Sequence, residues 1–316
     1  MSRFAWATLG CNLAVVLWGA YVRATGSGAG CGNKWPICDG GASGTTATAH
    51  TIIEFTHRMT SGAALIMVVC LLVWCWRSTS RGNWARYSAA LSAGLLMNEA
   101  LLGGALVLLG YVAQDKSAGR VLFLGLHFGN TLLLLAALSL TAEWLSKGGD
   151  GFRLIPRARR MGVIAVGLLA TMIIGITGTV AALADTLFPA SSLQRSILED
   201  FSSGAPTLLR VRLLHPAVAA IAVAYVVWVV FTTWSERDAK RAIALIFLLF
   251  LQVGIGIMNV LLMAPIWLQI VHLFVADLLW ILLVLVSAER VLESARAPRA
   301  RTLAEPFEQG RISAAY

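Results

Sequence analysis

The chain contains eight runs of roughly 20 predominantly apolar residues, separated by shorter polar segments. A helix needs about 20 such residues to cross the hydrocarbon core of a bilayer. Backbone groups in lipid can be satisfied only within helices or closed barrels, and strand-length alternation is absent from this sequence. The runs therefore predict an all-α integral membrane protein with eight transmembrane helices, at about residues 4–22, 51–76, 88–111, 121–144, 161–183, 208–234, 242–263 and 266–286.

The charged residues predict how the chain is oriented in the membrane. Only 13% of the 316 residues are charged, against about 25% in soluble domains. Most of the 25 Lys and Arg lie at the N-terminus, within 77–86, 147–160 and 237–241, or after residue 290. The positive-inside rule makes these segments cytoplasmic. We therefore expect both termini to be cytoplasmic, an uncleaved first helix, and no nucleic-acid partner despite the net charge of +9.

The second half of the chain repeats the first in outline. The matching positions, at similar separations, are Gly19 and Gly175, His57 and His215, Glu99 and Gln252, and His127 and His272. Such a repeat predicts two pseudo-symmetric four-helix bundles related by an axis along the membrane normal. The predicted units are an N-terminal bundle (1–146), a basic cytoplasmic linker (147–160), a C-terminal bundle (161–290) and a flexible cytoplasmic tail (291–316).

Four histidines have the same predicted depth in the membrane. His57 and His127 in the first half, and His215 and His272 in the second, each lie roughly 10 Å from the outer end of a helix, at about 1.5 Å per residue. Imidazole is a common ligand of haem iron, and facing helices build cofactor sites in bundles. The alternative is that each histidine bonds to a neighbouring helix, but four at one depth favour ligation of haem iron. His50 has no repeat partner and is predicted to be a surface residue.

The repeat breaks one turn before the first histidine of each half. Glu54 precedes His57 by three residues, whereas Arg212 holds the equivalent position before His215. A carboxylate near a macrocycle can take protons or stabilise positive charge, while a guanidinium suits haem propionates. We therefore expect chemistry in the first half and a permanent cofactor in the second. A local ion pair between Glu54 and Arg58, four residues apart on one helix, is the alternative role for Glu54.

The segment between the first two apolar runs carries Cys31 and Cys38. Its predicted location is outside the cell, where disulfides persist, and the spacing allows a bridge in a turn-rich loop. We predict a disulfide between these two cysteines, as either a structural lid or a redox-responsive latch. Cys11, Cys70 and Cys75 fall in or at the ends of apolar runs and are predicted to be inert.

Several motifs together resemble the heme A synthase family. They are Tyr21-Val22-Arg23-Ala24-Thr25-Gly26-Ser27-Gly28, the Cys31 to Cys38 loop with Trp35-Pro36, Glu54-Phe55-Thr56-His57-Arg58, and Leu268-Gln269-Ile270-Val271-His272-Leu273-Phe274-Val275-Ala276-Asp277. The resemblance implies a membrane oxidoreductase that converts the C8 methyl group of haem O to a formyl group, giving haem A for cytochrome oxidase. It suggests successive hydroxylation followed by loss of water.

The resemblance also implies a role for each candidate residue. His57 and His127 would hold the substrate haem in the N-terminal half. His215 and His272 would hold haem b in the C-terminal half. Glu54 would be catalytic, as proton acceptor or stabiliser of positive charge, and the cysteine pair would form a bridge. No metal other than haem iron is expected.

Two positions depart from the family pattern. Where the family often reads Cys-Pro-Asp-Trp-Pro, this chain places Gly32-Asn33-Lys34 before Trp35, which leaves the geometry of the turn open. Glu99 stands where glutamine is commoner. An ionisable residue inside the membrane is a functional candidate, and a protonated, hydrogen-bonded structural carboxyl is the equal alternative.

Proline and arginine near the outer ends of the helices carry two further predictions. Pro216 cannot donate to the carbonyl of Arg212, so a local kink is expected there. The weak candidates to contact propionates are Arg23, Arg210 and Arg212. They are weak because an arginine near the membrane surface often only reaches out to place its charged group in water.

Partners and competing functions follow from the same reasoning. Expected partners are the substrate haem O, membrane lipid, a haem O synthase and cytochrome oxidase assembly factors, and a homo-oligomer is also allowed. The main alternative function is a b-type dihaem electron-transfer cytochrome of the membrane, which would need neither Glu54 nor the outer cysteines. A small-solute transporter is the other, and it would need no haem.

Overall fold

The computed structural model describes residues 1–38, 48–149, 152–154, 158–232 and 239–294. Its helices are α1 (Ser2–Ala24), α2 (Ala49–Ser78), α3 (Trp84–Leu108), α4 (Ala118–Lys147), α5 (Ala158–Leu187), α6 (Leu193–Asp200), α7 (Thr207–Arg212), α8 (Leu214–Thr232), α9 (Ala239–Leu261) and α10 (Ile266–Val291). A 3-10 turn covers Ser27–Ala29. Two three-residue strands, β1 (Phe152–Leu154) and β2 (Leu292–Ser294), pair antiparallel.

Eight helical segments of the described chain are long and apolar enough to cross a membrane, with α7 and α8 together forming one of them, Thr207–Thr232. The prediction of an all-α protein with eight transmembrane helices is confirmed, and the protein is a multi-pass membrane protein. The pairing of β1 with β2 was not predicted, and it joins the predicted linker to the start of the predicted tail. Residues 295–316 of that tail lie outside the described residues.

Helices α4 and α10 form the centre of the bundle. In their most apolar stretches 44% and 56% of the residues are buried, against 11% to 28% in the other six spans. The two helices pack against each other through Leu132, Leu135, Trp280 and Ile281, and the indole N–H of Trp280 donates to the carbonyl of Leu132 at 2.7 Å. Because lipid is as apolar as leucine, such interhelical hydrogen bonds and close packing hold membrane helices together.

Polar side chains fix where several helices begin. Thr48, Asn83 and Ser117 cap α2, α3 and α4 by accepting hydrogen bonds from the backbone N–H groups of the first turn, which would otherwise lack partners. In the C-terminal half the span is interrupted between α7 and α8, and the N–H of Leu213 bonds to the carbonyl of Arg210 at 3.3 Å. The interruption lies where Pro216 withholds a donor, and the kink itself stays a prediction.

Ion pairs and hydrogen bonds join the two halves at both ends of the bundle. At the end where the linker lies, Glu143 on α4 pairs with Arg241 on α9 at 2.9 Å, and Arg241 pairs with Glu289 on α10 at 3.0 Å. At the opposite end, the guanidinium of Arg23 on α1 donates to Gln269 on α10 at 2.9 Å. Polar contacts thus join the two halves at both ends of the bundle.

Candidate functional site

Each of the four histidines lies against a glycine of a neighbouring helix. The pairs are Gly19 (α1) with His57 (α2), Gly103 (α3) with His127 (α4), Gly178 (α5) with His215 (α8), and Gly256 (α9) with His272 (α10). A Cβ atom added at Gly19 would lie 3.0 Å from Cε1 of His57, and one at Gly178 would lie 2.9 Å from Cε1 of His215. The absence of a side chain therefore leaves room for each imidazole to lie between two helices.

The glycine that contacts His215 is not the one that the sequence repeat matches to Gly19. The repeat aligns Gly19 with Gly175, but it is Gly178 that lies against His215 as Gly19 lies against His57. Gly175 instead faces α4, where an added Cβ would lie 2.8 Å from Phe128 and 3.1 Å from Leu132. Gly175 thus serves the packing of α5 on α4, while Gly178 serves the histidine.

The C-terminal pair of histidines has the spacing of two ligands on one metal ion. The ring centroids of His215 and His272 are 6.5 Å apart, and the rings are nearly perpendicular to each other. A metal–imidazole bond is about 2 Å long and the nitrogen lies roughly 1 Å from the ring centre, so two imidazoles on opposite sides of one ion have centroids roughly 6 Å apart. The pair therefore fits a haem iron held between α8 and α10.

Three of the four histidines have an Nδ1 atom without the hydrogen bond that a structural histidine would have. The Nδ1 atoms of His57, His127 and His272 are buried without a hydrogen-bond partner among the described residues. Nδ1 of His215 lies 3.3 Å from the hydroxyl of Thr177. Buried polar atoms are normally paired, so these rings fit ligands of a bound group better than histidines that only bond to neighbouring helices.

Glu54 is buried and bonded to two different parts of the protein. Its side chain forms the ion pair with Arg58 that was considered as the alternative role. Its other oxygen accepts the backbone N–H of Cys31 at 2.8 Å, and Arg58 in turn donates to the carbonyl of Lys34 at 2.7 Å. The ion pair is therefore part of a larger contact, which fixes one carboxylate orientation one turn from His57.

The disulfide between Cys31 and Cys38 is present, as predicted. Its loop covers one end of the N-terminal helices, because Trp35 packs on Gly104 of α3, beside the glycine that faces His127. A surface cavity of about 450 Å³ borders the loop and the end of α3 at Leu108. The loop thus contacts both α2, through Glu54, and α3. Among the described residues, Cys11, Cys70 and Cys75 are free thiols.

Opening the disulfide is expected to loosen the contact between the loop and Glu54. In a variant with Cys31→Ser and Cys38→Ser, the amide of residue 31 should exchange with solvent faster, and the thermal unfolding midpoint should fall by the equivalent of about 2 kcal/mol, as for other short closed loops. Hydrogen exchange by mass spectrometry measures the first effect. Cys70→Ser, at an exposed free cysteine, is the control, and equal exchange in both variants would contradict the expectation.

The three arginines proposed for propionate contact have different partners. Arg212 donates to Asp185 at 2.7 Å and to Asp200 at 2.5 Å, so its guanidinium is already paired with two carboxylates. Arg210 donates to the carbonyl of Ser203 at 2.6 Å. The hydrogen bonds of Arg23 go to neutral oxygens of α5 and α10. Arg23 is therefore the strongest of the three candidates for a bound anion.

Two further polar residues, His50 and Asp277, have contrasting surroundings. His50 is exposed, as predicted, and Nδ1 of its ring lies 2.9 Å from the hydroxyl of Ser27. Asp277 on α10 is fully buried, and neither carboxyl oxygen has a hydrogen-bond partner among the described residues. An ionisable residue inside an apolar run is itself a signal of a special site, and that signal could have identified Asp277.

The sequence profile of the COX15-CtaA family, described as cytochrome oxidase assembly proteins, matches residues 2–50 and 42–284 of the chain. The chain belongs to this family. The match includes all four histidines, Glu54 and both cysteines of the disulfide. The resemblance noted from the motifs is therefore confirmed across nearly all of the membrane-spanning part of the chain.

The chain is also similar to individual proteins with names of their own. A protoheme IX farnesyltransferase of Thermus thermophilus is 39% identical over 304 residues, which are 94% of this chain and 49% of that protein. A heme A synthase of Geobacillus kaustophilus is 39% identical over 137 residues, 43% of this chain and 41% of that protein. One of Alkalihalophilus pseudofirmus is 34% identical over 148 residues, 47% of each. The chain thus spans about half the length of the curated relatives it matches.

Proposed function

We propose that the chain is a heme A synthase, a membrane oxidoreductase that converts the C8 methyl group of haem O to a formyl group. The observation that carries the proposal is the buried carboxylate of Glu54, one turn from His57 and fixed by Arg58 and the Cys31 N–H. The equivalent position before His215 holds Arg212, which is bonded to two carboxylates. The names of the Geobacillus and Alkalihalophilus relatives support the same activity.

The two halves then have different roles. The N-terminal half (1–146) binds the substrate haem O between His57 and His127. The C-terminal half (161–290) holds haem b between His215 and His272, a role supported by the 6.5 Å separation of their rings. The bound haem iron supplies the oxidation–reduction chemistry. The glycine opposite each histidine lets the chain hold a ligand at the same depth in both halves.

Glu54 supplies the proton chemistry in this proposal. The carboxylate is 3% exposed, so bulk water does not compete for the proton that leaves the substrate methyl group. Cys31 and Arg58 hold it in one orientation, and a positioned base gains its rate advantage from such placement. Arg23 is the proposed contact for a propionate, since its present partners are neutral and a carboxylate would form the stronger, charge-assisted bond.

The orientation in the membrane is part of the same proposal. The Cys31–Cys38 disulfide supports an outer location for that end of the bundle, because disulfides persist in oxidising compartments. The basic segments support cytoplasmic termini. Both support a position of the histidines in the outer leaflet of the inner cell membrane. The recurrence of a glycine–histidine contact in each half supports the pseudo-symmetric arrangement of two bundles.

The name of the Thermus relative raises a second candidate, transfer of a farnesyl group to protohaem. The chain covers 49% of that protein, and 43% to 47% of the chain also matches separate heme A synthases. We therefore assign the chain to the haem A step and propose the haem O synthase, which makes the farnesylated substrate, as its partner. Cytochrome oxidase assembly factors are the proposed acceptors of the product.

Co-expression with a haem O synthase tests the proposal. We expect haem A in the extracted pigments, and a haem b signal in the reduced-minus-oxidised spectrum of the purified protein. Haem O formed when the chain is expressed without that partner would instead indicate a farnesyltransferase. Bound haem b without haem A would indicate an electron-transfer cytochrome. Absence of bound haem would instead favour the small-solute transporter.

A further inference from the structure

The two halves differ in what lies beside the second histidine of each pair. In the N-terminal half Glu99 on α3 approaches His127 on α4, with 3.4 Å between Oε1 and Nδ1. This separation is within ion-pair distance, although the contact lacks hydrogen-bond geometry and Nδ1 has no other partner among the described residues.

The carboxylate of Glu99 is held in place by α4. The side-chain amide of Asn130 donates to Oε2 at 2.5 Å, and the hydroxyl of Thr131 donates to Oε1. Asn130 is itself fixed, because it also donates to the carbonyl of Leu95 and accepts a hydrogen bond from Asn98. Both oxygens of Glu99 are therefore oriented by residues three and four positions after His127, with one oxygen on the side of the imidazole.

The C-terminal half has a neutral side chain beside its second histidine, at the other ring nitrogen. Gln252 on α9 lies beside His272 on α10, with 3.3 Å between the side-chain amide nitrogen and Nε2 of the ring. Nδ1 of His272 has no hydrogen-bond partner among the described residues. The carboxylate of Glu99 can only accept a hydrogen bond while it is ionised, whereas an amide can also donate. A carboxylate thus faces Nδ1 in the N-terminal half, and no such group in the described part of the chain faces Nδ1 of His272.

We propose that Glu99 is a positioning residue for His127, whose Nδ1–H it accepts so that Nε2 is directed at the substrate haem with increased basicity. This inference deepens the proposed function and rests on it. A carboxylate behind a metal-ligating histidine fixes the ring orientation and makes it a stronger donor. The haem in the N-terminal half is then held more firmly in its ferric form than a haem ligated by His272.

The test uses the full-length protein loaded with haem O and compares Glu99→Gln with the reciprocal Gln252→Glu. Equilibrium redox titration should give two waves, one for each haem. Glu99→Gln should change the midpoint potential of the N-terminal haem only. Glu99→Gln should weaken the ferric preference of the N-terminal haem about tenfold, which corresponds to about 59 mV for one electron. A glutamate in place of Gln252 would lie at Nε2 of His272 and not at Nδ1, so Gln252→Glu should leave the midpoint potential of the N-terminal haem unchanged. Glu99→Asp keeps the carboxylate and should restore most of the shift.

Three outcomes would overturn the inference. In the first, Glu99→Gln binds haem in both halves and the midpoint potential is unchanged. This result would contradict the inference but not the proposed function. The second is equal loss of the N-terminal haem in Glu99→Gln and Glu99→Asp, with the C-terminal haem retained, because Glu99 would then act in packing alone. The third is a wild-type protein that binds no haem, which removes the proposed function as well.

Discussion

Replacing Glu54 with glutamine is expected to lower haem A formation about 100-fold or more while leaving the haem content of the protein intact. The amide has the same shape and can still accept the N–H of Cys31 through one oxygen. It cannot accept a proton from the substrate, and a positioned base contributes about 10² to 10⁴ in rate. Haem A extracted after co-expression with a haem O synthase measures the loss, and the reduced-minus-oxidised spectrum measures the haem content.

A second variant separates proton chemistry from the ion pair. Arg58→Gln breaks the pair but keeps the carboxylate and its contact with the Cys31 N–H. We expect a smaller loss of product than in Glu54→Gln. Equal losses in both variants, together with equal falls in thermal stability, would assign Glu54 to the ion pair. Full product formation by Glu54→Gln would exclude a catalytic role altogether.

Replacing Gly178 with alanine is expected to remove most of the haem b from the C-terminal half. The added Cβ would lie 2.9 Å from Cε1 of His215, which is closer than side-chain carbons approach one another, so the ring must move. His215 is also near Thr177, and a ligand whose supporting contacts are disturbed typically loses 10-fold to 100-fold in metal affinity. The absorbance of bound haem b per protein measures the change.

The matched control lies on the same helix. Gly162 has open space where its Cβ would lie, so Gly162→Ala tests the general effect of alanine in α5 without a contact to histidine. We expect haem b to be retained in this variant. Similar haem content in Gly178→Ala and Gly162→Ala would show that the contact with His215 does not control binding.

The transmembrane helices could be predicted because the bilayer imposes a length and an apolar composition on each segment. The disulfide followed from the spacing of Cys31 and Cys38 in a turn-rich loop, and a local change in the helix near Leu213 followed from the missing donor of Pro216. Each of these depends on residues close together in the sequence. The physical cause acts locally, so the pattern is visible without tertiary structure.

Contacts between helices could not be predicted in the same way. The repeat aligned Gly175 with Gly19, but Gly178 is the glycine that faces His215. The rotation of α5 against α8 decides which glycine contacts the ring. The partners of Arg212 on α5 and α6, and the approach of Glu99 to His127, also depend on how helices pack. The sequence therefore found the residues of the candidate site but left their neighbours open.

The central packing of α4 on α10 has a consequence for how the protein unfolds. The two helices belong to different halves of the repeat, yet they are the most buried of the eight spans, and Trp280 bonds one to the other. Neither half can lose its structure without exposing this shared surface. The duplicated chain should therefore melt in a single cooperative transition, and a destabilising substitution at Leu132 or Trp280 should lower the stability of both haem sites together.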